Sequence, residues 1–114
     1  MSRAAGQQAE DRATDYLLAQ GLTLEARNYH TRFGELDIVM RDNKTWVCIE
    51  VKARKRPTHG IASEFVTPTK LHKIQTCFEQ YMLAQGHNPN HTPMRVDVVA
   101  LDNNNLQWIK NIAG

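Results

Sequence analysis

A chain of 114 residues is one domain's worth, long enough for a hydrophobic core and too short for two. Its 41% hydrophobic and 23% charged residues exclude wholesale disorder, and a formal charge of +2 permits nucleic-acid binding without arguing for it. No apolar run approaches the roughly 20 residues that cross a bilayer, and the polar, acid-bearing N-terminus is neither a secretion signal nor a transit peptide, so a cytoplasmic protein is expected.

Residues 2 to 20 read as a helix stopped by Gly21, with Ala5, Ala9, Ala13, Tyr16 and Leu17 on its apolar stripe. Leu22 to His30 follows as a strand, then a loop through Thr31 and Gly34. Two strands, 35–40 and 46–53, flank the polar cluster Asp42-Asn43-Lys44 and form a hairpin. In the first, Leu36, Ile38 and Met40 face one way and Glu35, Asp37 and Val39 the other. In the second, Val47, Ile49 and Val51 oppose Trp46, Cys48, Glu50 and Lys52.

Lys55 to Gly60 is a basic loop. A second helix takes Thr67 as N-cap and Pro68 as its first residue, ends at Gly86, and buries Leu71, Ile74, Phe78, Tyr81 and Met82. A loop rich in Asn and Pro leads to a strand over Met94 to Leu101, a turn at Asn103 to Asn105 and a last short strand over 106–112. A helix joining two strands implies a βαβ crossover, so the expected fold class is α/β: a mixed sheet of about five strands flanked by helices. Cys48 and Cys77 have no metal or redox spacing and read as small apolar fillers.

The hairpin carries more charge than burial explains. Glu50 and Lys52 leave one face of a strand about 7 Å apart. A two-residue turn at Asp42-Asn43 sets Glu35 opposite Glu50, whereas one at Asn43-Lys44 sets Asp37 opposite Glu50. Either register gathers Glu35, Asp37, Glu50 and Lys52 on one face. Carboxylates crowded in a partly dry site raise each other's pKa. A divalent cation relieves that repulsion, and Asp37, Glu50 and a backbone carbonyl between Ile49 and Val51 offer the hard oxygens that Mg²⁺ or Mn²⁺ prefers. Lys52 then stands where it can orient water or stabilise a phosphoryl transition state. Glu10 lies on the inward-leaning side of the first helix with Ala13 and Leu17, and joins the cluster if that helix packs beside the hairpin. Each feature alone has an ordinary reading, a solvated Glu-x-Lys or a snorkelling boundary Glu. Their combination in otherwise apolar strands leaves a site and an ordinary charged face both open.

Gly34-Glu35-Leu36-Asp37, followed by Ile49-Glu50-Val51-Lys52-Ala53-Arg54, resembles the YraN-like family of uncharacterised bacterial proteins. Glu10 with Ala13 and Tyr16-Leu17, Arg27 to His30, Lys70 and Arg95 to Val98 extend the likeness over nearly the whole chain. That family looks like a branch of the restriction-endonuclease-like, PD-(D/E)XK nuclease superfamily, near the Holliday-junction resolvases. The resemblance implies a single endonuclease-like domain, metal ligands Asp37 and Glu50, a catalytic Lys52, Glu10 as the helix acid and Glu35 as part of the signature. It also implies Mg or Mn as cofactor, branched or structured DNA as substrate, and a homodimer. Leu36 stands where the superfamily pattern has proline, and Ala9 where a glycine is common.

Arg54, Lys55 and Arg56 form the densest positive run and abut the acidic strand, which favours contact with backbone phosphates. Arg27, Arg32, Lys70 and Lys73 are expected to extend it, with Lys70 near a helix N-terminus. Trp46 and Trp108 fit strand packing better than base stacking, and His87 with His91 lacks the neighbours of a zinc site. Three functions follow: a metal-dependent DNA endonuclease, a catalytically silent nucleic-acid-binding module of the same fold, or a self-associating scaffold whose acidic face pairs across a dimer.

Overall fold

The computed structural model describes residues 3–53, 66–102 and 105–114. In chain order they form α1 (Arg3–Ala19), β1 (Thr23–Thr31), β2 (Gly34–Asp42), β3 (Thr45–Ala53), α2 (Pro68–Ala84), β4 (Met94–Leu101) and β5 (Leu106–Ile109). The five strands make one sheet in the order β1-β2-β3-β4-β5. All neighbours are antiparallel except β3 and β4, the pair that α2 connects. This is the mixed α/β sheet expected from the pattern, because a parallel pair requires a crossover and the helix supplies it. A short 3-10 turn at Pro89–His91, capped by the Asn88 side chain, was not foreseen.

Each helix covers one face. Ala9, Ala13 and Leu17 of α1 pack with Ile38, Met40, Val47, Ile49, Val99 and Leu101. Ile74, Cys77, Phe78, Tyr81 and Met82 of α2 pack with Val39, Cys48, Val96, Val98 and Ala100 on the other side. The alternation along β3 assigns Val47 and Ile49 to one cluster and Cys48 to the other, as a strand buried on both faces demands. Fully buried residues such as Leu17 and Met40 each contribute about 1.5–3 kcal/mol of transfer free energy. Tyr16, placed on the apolar stripe of α1, is instead 37% exposed, and its ring meets Trp108 edge-on.

The hairpin adopts the Asn43-Lys44 turn, with Asp42 paired to Thr45 and Ile38 to Ile49. Asn43 takes a left-handed φ of 57°, which a short amide side chain tolerates, and this selects between the two registers open from sequence. One expectation fails. Leu36 does not share a face with Ile38 and Met40; it packs with Val39 in the α2 cluster. The cause lies opposite it. Between the pairs Arg27–Ile38 and Tyr29–Leu36 sit Asn28 and Asp37, and Asn28 has a φ of 53°. Left-handed backbone at Asn28 breaks the alternation of β1, so Ala26 and Tyr29, three apart, both reach the α2 cluster. The partner strand turns with it, carrying Leu36 across and leaving Asp37 at the pivot.

Candidate carboxylate and lysine site

Asp37 owes its position to that pivot. Pairing between β2 and β3 stops at Ile38–Ile49, and the Asp37 carboxylate fills the gap by accepting a 3.0 Å hydrogen bond from the Val51 N–H. The side chain therefore replaces a backbone acceptor at the point where the strands part. Burial first, then the neighbouring Glu50 carboxylate, push the Asp37 carboxyl up from 3.8 to about 7; Glu10 adds to the effect and the Val51 bond opposes it.

Glu50, at the next position on β3 after Ile49, is buried on the side of Cys48 and α2. Its Oε1 lies 3.2 Å from Lys52 Nζ and 3.0 Å from Lys70 Nζ. Lys52 comes from the same strand and Lys70 from the first turn of α2, where the Thr67 hydroxyl accepts from the Lys70 N–H. Burial, and then the adjoining Lys70 amine, press Lys52 below the ordinary lysine value. Contact with Lys52, supported by Glu50, holds Lys70 above it.

Glu10 approaches from the opposite face on α1, anchored where its carbonyl accepts from Thr14 Oγ1 at 2.8 Å. Its carboxylate pairs loosely with Arg27 at 3.5 Å, too poorly aligned for a hydrogen bond, and Glu10 Oε1 is buried without a hydrogen-bond partner. Arg27 Nη1 binds Asp11 at 2.9 Å. Asp37 feels the charge of both Glu50 and Glu10 and stands at the splayed end of β2 and β3.

Of the residues singled out from sequence, the structure brings Asp37, Glu50 and Lys52 together and adds Lys70 to them, whereas Glu10 reaches Asp37 only through its charge. Reading Lys70 as a phosphate contact missed its link to Glu50, because nothing in the sequence fixes the approach of α2 to β3. Arg27 is committed to Glu10 and Asp11, so a phosphate contact there requires it to leave α1. Glu35 stands apart from the cluster. It is exposed, 3.8 Å from His30, and lines a cleft of about 360 Å³ with Phe33, Lys70 and Lys73. Arg32 stacks its guanidinium over Phe33 at 4.9 Å. Arg54, Lys55 and Arg56 lie outside the described residues.

Asp97, an acid in an apolar strand, is a further centre of interactions. It is wholly buried and accepts from Arg95 Nε at 3.1 Å, Trp108 Nε1 at 2.9 Å and the Asn111 N–H at 2.9 Å. Arg95 also holds Asp42 at 2.9 Å, tying β4 to the β2–β3 hairpin. The signal was available: an acid at an inward position of the apolar run Met94 to Leu101. Trp46 packs against Tyr81 and His87, so both tryptophans serve the fold.

Among the described residues no three His, Cys, Asp or Glu side chains converge as a ready-made metal cage. Mg²⁺ does not need one, since it binds through one or two carboxylates and keeps several waters. Asp37 and Glu50 supply those hard oxygens, and the orphaned Glu10 Oε1 is a third within the same electrostatic neighbourhood. The donor set fits a hard divalent cation. No described helix is long and apolar enough to cross a membrane.

The profile of the uncharacterised protein family UPF0102 matches residues 9–101, which include all five cluster residues. A UPF0102 protein of Vibrio cholerae is 42% identical over 112 residues, covering 96% of this chain and 92% of its own. One from Colwellia psychrerythraea is 42% identical over 110 residues, covering 93% of this chain and 85% of its own. Another, from Neisseria gonorrhoeae, is 38% identical over 110 residues and covers 96% and 94%.

Proposed function

The chain belongs to the uncharacterised protein family UPF0102, the YraN-like family, and from its buried carboxylate cluster we propose that it is a divalent-metal-dependent endonuclease acting on DNA. The observation that carries this reading is a carboxylate pair held in the fold: Glu50 is buried, and beside it Asp37 is pinned to the Val51 N–H where β2 and β3 part, so that burial and Glu50 raise its carboxyl. At neutral pH such a group is poorly served by its own protein, and a dication removes the strain.

Asp37 and Glu50 would hold Mg²⁺ or Mn²⁺, with Glu10 close enough to steady the charge. The cation supplies electrostatic stabilisation of a phosphoryl oxygen and a water of lowered pKa. Lys52, whose ammonium is weakened by burial, holds a proton it can donate or share beside the scissile phosphate. The Val51 N–H fixes the Asp37 carboxylate, so the acid needs no reorganisation as charge develops. Lys73 on the cleft, and the sequence run Arg54 to Arg56, suit backbone phosphates without reading bases. Branched or structured DNA and a homodimer remain part of this proposal through the family resemblance, since cutting two strands symmetrically favours two copies.

A second reading is a nucleic-acid-binding module that does not turn over. It is favoured by Glu50 Oε1, whose charge two lysines already neutralise. Incubation with branched, flapped and single-stranded DNA plus Mn²⁺ separates the two. Cleavage lost in Asp37→Ala supports the enzyme; equal cleavage by both proteins means contamination and removes it. Salt-dependent binding without metal-stimulated cleavage selects the module.

A further inference from the structure

Glu50 Oε1 receives two ammonium groups at once, Lys52 at 3.2 Å and Lys70 at 3.0 Å. One cation would neutralise one carboxylate. The two lysines are not equivalent. Lys52 is two residues from Glu50 on β3 and its side chain is only 22% exposed, so strand geometry keeps it at hand. Lys70 arrives from another element on a long, flexible stem, and its side chain is 47% exposed. The backbone beneath it is pinned by the Thr67 cap and Pro68, which confines any movement to the side chain. A swing away from Glu50 takes the amine toward the cleft lined by Phe33, Glu35 and Lys73.

The surrounding charges explain why a second cation is drawn in. Asp37 sits on Glu50 from the sheet side, and Glu10 contributes from α1 with an oxygen that has no hydrogen-bond partner. Against three carboxylates stand the strand lysine and an Arg27 that pairs loosely with Glu10 and is shared with Asp11, which leaves a deficit of positive charge at Asp37 and Glu50 that Lys70 supplies. A divalent cation would supply the same charge at the same oxygens. Building on the metal-site reading above, we infer that Lys70 is an internal counter-ion that competes with the divalent cation for Glu50. Metal loading and detachment of Lys70 are thus two sides of one equilibrium, and the freed amine is delivered to the cleft beside the site, where a phosphate can take it.

The test is Mn²⁺ binding without DNA, followed by electron paramagnetic resonance of the free ion, for wild type, Lys70→Met, Lys70→Arg and Asp37→Asn. Lys70→Met keeps the stem and removes the charge, so it should bind Mn²⁺ about fivefold more tightly than wild type, with Lys70→Arg returning close to it. Equal or weaker binding by Lys70→Met, with wild-type binding still dependent on Asp37, overturns the counter-ion and leaves the metal site standing. Absence of Asp37-dependent binding in every variant overturns both. Circular dichroism melts establish that each variant is folded, and Lys70→Gln provides the same comparison should Lys70→Met lose its structure.

Discussion

Replacing Asp37 by Asn should stabilise the metal-free protein, and more so as pH rises. The folded carboxyl sits at about 7 against an unfolded 3.8, so the native state prefers the protonated form. The stability this contributes is complete below 3.8 and is lost as pH rises through about 7. Moving a carboxyl over that interval corresponds to about 4 kcal/mol, of which about 3 is lost between pH 5 and pH 8. Partial exposure screens some of it, leaving about 2 kcal/mol. Asn is a neutral isostere that still accepts from the Val51 N–H and does not repel Glu50 or Glu10. Lys52 and Lys70 are present in both proteins and largely cancel. Urea unfolding in EDTA, followed by the fluorescence of half-buried Trp46 and Trp108, reads the difference. The Asp37→Asn midpoint should exceed that of wild type by roughly 1–2 M more at pH 8 than at pH 5. A difference that is the same at both pH values, or an Asn variant less stable at pH 8, refutes the claim that burial and Glu50 strain this carboxyl.

Asp97→Ala should destabilise by about 3–5 kcal/mol, because it empties a wholly buried acceptor site, leaves half-buried Arg95 with Asp42 alone and strips acceptors from Trp108 and Asn111; a loss below about 1 kcal/mol in chemical denaturation would contradict the network. Asn28→Val should cost about 1–2 kcal/mol through its left-handed backbone, while Asn28→Gly should be nearly neutral, and thermal melts of the pair distinguish backbone strain from a lost side-chain contact. Millimolar Mn²⁺ should raise the wild-type melting temperature at pH 8 by a few degrees, as expected of a ligand bound by the native state alone, and leave that of Asp37→Ala unmoved. Thr67→Ala should cost about 1 kcal/mol by uncapping α2, and hydrogen exchange concentrated at residues 68–71 would localise the effect.

Much of this molecule was legible from its residues because the signals are local. Period-two alternation in Trp46 to Ala53, the Thr67-Pro68 cap and the terminator Gly21 each act within a few residues. Together they imply helices on a mixed sheet, and strand parity in either hairpin register points to Asp37, Glu50 and Lys52 as neighbours, although it also adds Glu35, which stands apart. What depended on tertiary structure were relations between elements. Which of two turns the hairpin uses rested on Asn43, and the face of Leu36 on a left-handed residue eight positions away in sequence, on the facing strand. The pairing of Lys70 with Glu50 required α2 to arrive at a particular depth, and the capture of Arg27 required α1 to pack across β1. Alternation says which side a residue takes only while the backbone stays regular. At Asn28 and Asp37 it does not, and that irregularity places a buried acid where the strands part.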